Sequence, residues 1–110
     1  MARFVKGDVV VVPFPFSDLS RAKRRPALVL ASMRGGDLIL CQITSRAVTD
    51  GYAVALDESD FRSGSLRRPS NVRPNRLFTA DGGIILYRAG QLAADKTAEV
   101  IDALVAILKA

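Results

Sequence analysis

The sequence contains no histidine, no tryptophan and one cysteine, Cys41, among 110 residues. Without histidine there is no imidazole to act as a general base, to complete a Ser-His-Asp or Cys-His pair, or to bind zinc. One cysteine cannot form an internal disulfide or a thiolate metal cluster, and this favours a reducing compartment such as the cytoplasm. Catalysis by this chain must therefore depend on arginine, lysine, carboxylates, hydroxyls or backbone amides.

Long apolar runs are absent as well. The longest, residues 9–16 and 103–108, are much shorter than the ~18 residues needed to cross a bilayer. The N-terminal sequence MARFVKGD lacks the apolar segment of a secretory signal. A length of 110 residues fits one domain, and 49% apolar residues suffice for a small core. We therefore expect one cytoplasmic domain over residues 1–110, with no membrane anchor.

Positive charge exceeds negative charge, and arginine supplies most of it. Lysine and arginine number 16 against 11 acidic residues, and 12 of the 16 are arginines. Guanidinium groups bind phosphate oxygens through paired hydrogen bonds and stack on bases. The net charge of +5 is therefore typical of a protein with a polyanionic partner such as nucleic acid. For any single arginine, solvated loop charge is the alternative explanation.

Short β-branched and alternating runs predict a mainly β protein. The predicted strands are residues 8–12, 26–32, 37–44, 52–56, 72–80 and 84–88. Gly35-Gly36 predicts a hairpin turn between the second and third strands. Residues 14–16 are expected to continue the first strand in an extended form, and residues 17–25, 45–51 and 57–70 are expected to be loops.

The periodicity changes from two to 3.6 over residues 95–108. Val100, Ile101, Leu104, Ile107 and Leu108 then fall on one stripe, which predicts an amphipathic helix. Short strands followed by one helix predict a strongly bent sheet or partial barrel that the helix covers. The spacing of βαβ units is missing, which argues against a dinucleotide-binding fold.

Basic residues concentrate in three clusters. They are Arg21, Lys23, Arg24 and Arg25; Arg62, Arg67 and Arg68; and Arg73 and Arg76. Arg25 directly precedes Pro26, which restricts its backbone to extended conformations. The start of the second strand therefore fixes Arg25 more firmly than a mid-loop position would.

The third predicted strand ends in polar residues. Alternation places Gln42 and Thr44 on one face, and Ser45 follows at the strand end. The hydroxyls of Thr44 and Ser45 can either satisfy the backbone of the following turn or, beside an arginine, cradle a phosphate. The acidic residues Asp57, Glu58 and Asp60 lack the spacing of a metal site and predict a solvated turn.

Taken together, six segments resemble the MazF/PemK family of type II toxins, which includes Kid. They are GDVVVVPFPF, KRRPALVLA, LILCQITS, YAVAL, SNVRPNRLFTAD and AGQL with the terminal helix. They occur in the family's order and cover nearly the whole chain. The resemblance implies an SH3-like barrel with a C-terminal helix. It also implies a homodimer that cleaves single-stranded RNA without a metal or other cofactor, and that a cognate acidic antitoxin inhibits by covering the RNA groove.

The resemblance also implies site residues. In the branch that RRPALVL and QITS resemble, the arginine before the proline and the threonine that closes the third strand are catalytic, here Arg25 and Thr44. The Kid branch uses a second arginine, an aspartate two residues later and a histidine. Arg73 matches that arginine, Asn75 replaces the aspartate, and the histidine is missing, so the Kid mechanism cannot transfer intact.

Further polar and basic residues are expected to bind RNA. They are Ser45, Arg73, Arg24, Lys23, Gln42, Tyr52, Arg67 and Arg68. Loop residues 17–24, 46–52 and 63–69 are expected to touch splayed bases. Two alternatives remain open at this point. One is a non-catalytic, basic SH3-like module that binds nucleic acid, and the other is a relative of the same fold that poisons gyrase.

Overall fold

The computed structural model describes residues 3–14 and 23–110, which form a curled antiparallel sheet and one helix. The elements are β1 (Asp8–Phe14), β2 (Lys23–Ser32), β3 (Asp37–Thr44), β4 (Val54–Leu56), β5 (Phe61–Gly64), β6 (Ser70–Asp81), β7 (Tyr87–Leu92) and α1 (Ala94–Lys109). The strand order is β4-β6-β3-β2-β1-β7-β5. Since β4 and β5 stand at opposite ends of this order, the described strands form a half-barrel. The predicted mainly β fold with a C-terminal helix is confirmed.

The central strands are buried on both faces, so the sheet separates two apolar clusters. Val9, Leu28 and Cys41 point to the face that α1 covers through Val100. The residues that alternate with them form the second cluster on the other face. Its buried members are Val10, Val12, Ala27, Val29, Leu38, Leu40 and Ala80. Continuous β-branched runs such as the one in β1 are typical of strands buried on two faces.

The predicted turn between β2 and β3 is confirmed. Gly35 and Gly36 both have positive φ, at 81° and 94°, a region that glycine adopts without the steric cost of a Cβ atom. The Met33 N–H donates to the Asp37 carbonyl at 2.8 Å and closes the turn. This hairpin fixes the register of β2 against β3. That register determines which side chains come close at the other end of the two strands.

Five of the six predicted strands have different limits in the structure, and β3 matches at both ends. β1 extends to Phe14 and β6 spans Ser70–Asp81, against the predicted residues 8–12 and 72–80. β2 begins at Lys23 rather than at residue 26, and β4 omits Tyr52. The last strand is Tyr87–Leu92 instead of residues 84–88, because residues 82–84 form a 3-10 turn first. In that turn the Asp81 side chain accepts a hydrogen bond from the Gly83 N–H at 2.7 Å. The expected extended residues 15–16 and loop residues 17–22 lie outside the described residues.

The predicted loop at residues 57–70 contains a strand, β5. It is short and mostly exposed, and a close approach to β7 holds it in place. A Cβ atom at Gly64 would overlap the Ala89 carbonyl oxygen, so only glycine allows this approach. The acidic residues before β5 form a turn, as predicted, in which the side chains of Asp57 and Asp60 cap the backbone reciprocally.

The terminal helix packs on the first cluster over part of its length. Val100 is fully buried, and Ile101 and Leu104 pack against the cluster. The predicted stripe is wrong at its end, because Leu108 is 69% exposed. Leu108 lies in the last turn of α1, beyond these packing residues. No helix among the described residues has the length and apolar character to cross a membrane.

Candidate functional site

A cavity of about 370 Å³ opens at the end of the sheet where β2 begins and β3 ends. It lies on the side of the second apolar cluster. Its lining residues are Val12, Phe14, Arg25, Pro26, Gln42, Ile43, Thr44, Ser45, Arg46, Arg73 and Phe78. The cavity therefore joins residues from β1, β2, β3 and β6, which are far apart in the sequence.

Arg25 and Thr44 both lie two residues beyond the last pair of the β2–β3 ladder, at the end that borders the cavity. The register pairs Ala27 with Gln42. Continued by two residues toward the strand ends, it places Arg25 opposite Thr44. Directly opposed side chains in an antiparallel pair lie on the same face with Cβ atoms about 5 Å apart. Both residues line the cavity, so the structure brings the predicted catalytic pair together.

The Thr44 hydroxyl is held by the turn that follows β3. Its oxygen accepts a hydrogen bond from the Arg46 N–H at 3.1 Å. This is the backbone-satisfying role that a threonine at a strand end commonly has. Since a hydroxyl both accepts and donates, the Thr44 O–H hydrogen remains able to donate to an anion in the cavity. The structural and the functional interpretation of Thr44 are therefore compatible.

An irregularity in β6 brings Arg73 to the cavity. Leu77 pairs with Cys41, and Arg73 pairs with the next residue of β3, Gln42. Residues 74–76 therefore bulge out of the β3–β6 ladder, and Pro74, which has no N–H to donate, lies within the bulge. Alternation along regular strands does not indicate such a bulge.

Arg73 makes an ion pair with a loop residue that the sequence analysis did not single out. Its Nη2 lies 2.9 Å from Oδ2 of Asp50, and both side chains are about three-quarters shielded from solvent. The Nε of Arg73 is buried and has no hydrogen-bond partner among the described residues. Arg73 therefore has donor capacity that is not used by its neighbours in the described part of the chain.

Hydrogen bonds hold the Asp50 carboxylate in its ionised form. The backbone N–H of Tyr52 lowers the pKa of Asp50 most, and the side chains of Arg73 and Asn75 lower it further. Hydrogen bonds to a carboxylate favour its charged state. A lowered folded-state pKa means that the interactions of this charge are complete at neutral pH and are lost only as the pH falls below the usual range for aspartate.

The cavity combines positive charge with an apolar wall. Arg25, Arg46 and Arg73 line it, and no acidic side chain does so among the described residues. On the other side are Phe14 and Phe78, whose ring centroids lie 5.9 Å apart with a 55° angle between the planes. Such a site suits a ligand with an anionic group and a flat apolar group, since guanidinium groups bind phosphate oxygens and aromatic rings contact bases.

The remaining predicted site residues lie at different distances from the cavity. Gln42 and Ser45 line it, while Lys23 and Arg24 are exposed at the adjacent start of β2. Tyr52 is 50% exposed in the loop that carries Asp50. Arg67 and Arg68 precede β6 and do not line the cavity, and Arg21 lies outside the described residues.

Reasoning from the sequence alone did not single out three contributions to the site, namely the aromatic wall of Phe14 and Phe78, the Asp50 carboxylate and Arg46. Alternation in β1 predicts that Phe14 shares a face with Val10 and Val12, so the sequence pattern could have indicated the apolar wall. Asp50 and Arg46 lie in a loop with no periodicity, and no local signal assigns them to Arg73 or Thr44. Among the described residues, no three histidine, cysteine, aspartate or glutamate side chains are grouped to hold a metal ion.

Comparison with known proteins gives one family. The family model of the PemK-like, MazF-like toxin of type II toxin-antitoxin systems matches residues 5–108. Among proteins with curated functions, no sequence matches the chain significantly.

Solved structures share the fold over the whole chain. MazF from Deinococcus radiodurans is 25% identical, with a TM-score of 0.78 and coverage of 100% of both chains. The MazE–MazF complex from the same organism is also 25% identical, with a TM-score of 0.74 and coverage of 98% of this chain and 97% of that one. A mycobacterial endoribonuclease in complex with its cognate antitoxin has 16% identity and a TM-score of 0.73, covering 99% and 96%.

The match over residues 5–108 and the curled half-barrel agree with each other and with the sequence segments noted at the outset. The chain therefore belongs to the PemK-like, MazF-like toxins of type II toxin–antitoxin systems.

Proposed function

We propose that this toxin is an endoribonuclease that cleaves single-stranded RNA at the cavity, with Arg25 and Thr44 as catalytic residues and without a metal ion. The observation that carries the proposal is that Arg25, Thr44 and Arg73 line one cavity at the end of the β2–β3 ladder. Guanidinium and hydroxyl donors then converge on one place where an RNA phosphate would sit.

Attack by the ribose 2′-oxygen on the adjacent phosphorus is the reaction that this donor set suits. The new 2′-O–P bond forms and the P–O5′ bond breaks, which gives a 2′,3′-cyclic phosphate and a 5′-hydroxyl. Negative charge on the phosphoryl oxygens increases in the transition state, and donors already directed at those oxygens stabilise it. In this proposal Arg25 and Arg73 bind the oxygens, and the Thr44 hydroxyl donates to them.

Proton transfers need groups that titrate, and the cavity offers few. Arginine is a poor base because its pKa exceeds about 12, and no histidine exists in the chain. We therefore assign acceptance of the 2′-hydroxyl proton to water, and donation to the leaving 5′-oxygen to water or to the Arg25 guanidinium. The absence of an acidic cluster among the described cavity residues is the reason for proposing a metal-free reaction.

The shape of the cavity favours a single strand over a duplex. Its volume of about 370 Å³ is near the lower end of the ~300–1,000 Å³ typical of ligand sites, and it suits one nucleotide. Phe14 and Phe78 line the cavity, and in this proposal they contact a base that has left its stack, as bases in single-stranded RNA do. We assign Lys23, Arg24 and Tyr52 to contacts with neighbouring nucleotides.

We propose two protein partners, an antitoxin and a second copy of this chain. The Deinococcus MazF has been solved with MazE, and we propose that an acidic antitoxin segment binds this chain across the same basic cavity. We also propose a homodimer, in which a second copy extends the groove beyond the one nucleotide that this cavity suits and two-fold symmetry brings the same basic surface of both copies together. Arg67 and Arg68, which are remote from the cavity, are assigned to flanking phosphates.

The test is incubation of a single-stranded RNA oligonucleotide with the purified protein in EDTA. We expect fragments with a 2′,3′-cyclic phosphate and a 5′-hydroxyl, identified by mass spectrometry, and no cleavage of the DNA of the same sequence. Arg25→Ala protein purified in parallel controls for contaminating ribonuclease. A strict need for a divalent metal contradicts the proposed mechanism, and binding without cleavage favours the non-catalytic module.

A further inference from the structure

The carboxylate of Asp50 connects the loop after β3 to the bulge in β6. Its Oδ1 accepts a hydrogen bond from the Tyr52 N–H at 3.0 Å. Its Oδ2 accepts from Arg73 Nη2 at 2.9 Å and from Asn75 Nδ2 at 3.2 Å. One oxygen is therefore fixed by the loop backbone, and the other is shared between two side chains of β6.

The bulge gives both β6 side chains access to this oxygen. Arg73 is paired with Gln42 directly before the bulge, and Asn75 lies within residues 74–76, which leave the ladder with β3. A second contact ties the same loop to β6, since Asn71 Nδ2 donates to the Arg46 carbonyl at 3.1 Å. The loop that carries Asp50 is thus anchored to the strand that carries Arg73.

Arg73 depends on this anchor for its orientation. Arginine has four rotatable side-chain bonds, and the guanidinium adopts one position only where contacts select it. In the described part of the chain, Asp50 is the acidic residue paired with Arg73, and the Nε of Arg73 is buried without a partner. Asp50 thereby holds one edge of the guanidinium and leaves other donors available in the cavity.

Asp50 also affects the charge of the site. Three arginines line the cavity and no acidic residue does so among those described, so the neighbouring Asp50 charge offsets part of their attraction for a phosphate. An interaction that orients a donor accelerates the reaction, whereas a negative charge near the site weakens binding of an anion. The first effect changes the rate of the reaction and the second changes the affinity for the anion, so the two can be measured separately.

We propose that Asp50 is a positioning residue that fixes the guanidinium of Arg73 for the transition state while weakening ground-state binding of the RNA backbone. The effect on cleavage rests on the proposed function. The orientation of Arg73 by Asp50 does not, because it concerns two side chains of the free protein.

The kinetic test compares Asp50→Ala and Asp50→Asn with the natural chain. We expect kcat to fall about tenfold or more in Asp50→Ala, because the variant loses an oriented donor whose interaction is made only in the transition state. The Kd for a 2′-deoxy oligonucleotide of the same sequence should fall by about two- to fivefold, because a negative charge beside the cavity is removed. Asp50→Asn keeps the shape of the side chain but not its charge, so its kcat should lie between those of Asp50→Ala and the natural chain.

A double-mutant cycle assigns the effect to Arg73. In an Arg73→Ala background, Asp50→Ala should change kcat by less than about twofold, because the group that it positions is gone. Asp102→Ala removes a carboxylate from the exposed face of α1 and controls for the change in net charge. Equal, additive losses in both backgrounds, or an unchanged or weaker affinity for the deoxy oligonucleotide, would overturn the proposal.

A second measurement is independent of cleavage. The Nε–Hε NMR signal of Arg73 should be resolved and slow to exchange in the natural chain, and should shift and broaden in Asp50→Ala but not in Asp102→Ala. If the protein cuts no RNA and this signal behaves as expected, the proposed function fails and the positioning role of Asp50 stands. An unchanged Arg73 signal in Asp50→Ala shows that Asp50 does not position it.

Discussion

At the scale of single residues, few groups in this chain can perform chemistry, and the proposed mechanism depends on those few. Arg25 is placed by the proline that follows it, and Thr44 by the end of β3. The hydroxyl of Thr44 is oriented by the Arg46 N–H. Each of these residues thus has a local structural reason for its position, separate from the chemical role that we propose for it in the cavity.

The hydroxyl of Thr44 can be removed with little change in shape. Thr44→Val keeps the branched side chain, and we expect the cleavage rate at saturating RNA to fall on the order of 10²-fold, as is typical when one transition-state donor is lost. Thr44→Ser keeps the hydroxyl and should retain most of the rate. Thr79→Val, an exposed threonine on β6 outside this cavity, is the matched control. A full rate in Thr44→Val would mean that the hydroxyl is not used.

Cys41 is a buried thiol with no predicted role in catalysis. Burial raises its pKa from 9.0 to about 12, because a thiolate is disfavoured in apolar surroundings. We expect no alkylation of the folded protein at pH 8, and full alkylation in denaturant. The raised pKa also means that folding keeps this thiol protonated, so stability should decline as the pH rises from about 9 toward 12. Rapid labelling of the native protein would contradict this burial.

At the scale of elements, Asp8 fixes the entry into β1. Its side chain is 1% exposed. It accepts hydrogen bonds from the Val5 N–H at 2.8 Å and from Gln91 Nε2 at 3.1 Å, and its Oδ2 lies 3.0 Å from Arg88 Nη2. Arg88 also covers the ring of Phe4, with its guanidinium carbon 5.4 Å from the ring centroid. The network joins the N-terminal segment to β7.

Removing this carboxylate should destabilise the fold. In Asp8→Ala the donors lose their buried acceptor, and we expect the free energy of unfolding to fall by about 2–3 kcal/mol. Urea denaturation measures the change, and Asp102→Ala on the exposed face of α1 should stay within about 0.5 kcal/mol. Equal stabilities of the two variants would show that the network contributes nothing.

The elements also show what the sequence could predict. Alternation and β-branching identify the strands of the half-barrel. Gly35-Gly36 identifies the hairpin that fixes the register of β2 against β3, the strands that carry Arg25 and Thr44. β5 has no such signal, because its partner on β7 is remote in sequence and its position depends on the close approach at Gly64. The bulge in β6 and the contact from Asp50 to Arg73 depend likewise on tertiary structure, so the second half of the site could not be predicted.

At the scale of the whole molecule, size and charge determine the partners. The chain carries a net charge of +5, and three arginines line the described cavity. An acidic antitoxin segment and an RNA strand would compete for these groups, and both interactions should weaken as salt rises. In the proposed homodimer, the second copy extends the RNA path beyond this cavity.

The homodimer is tested in solution. At micromolar concentration, sedimentation velocity should give about twice the monomer mass of 11.8 kDa. An extended groove across two copies predicts that dilution below the dissociation constant of the dimer lowers cleavage together with the dimer fraction. A fully active monomer would contradict the shared groove and leave the chemistry at each cavity unaffected.

The most direct test of the central claim is the single-turnover cleavage rate of Arg25→Ala beside that of Arg24→Ala, with protein in saturating excess over RNA. The two variants lose the same charge at adjacent positions of β2, but of the two residues only Arg25 lines the cavity. The account predicts a loss on the order of 10²-fold or more for Arg25→Ala. For Arg24→Ala it predicts weaker binding and a saturated rate within about threefold of the natural chain. Equal losses of the saturated rate in both variants, or none in Arg25→Ala, would contradict the assignment of catalysis to this cavity.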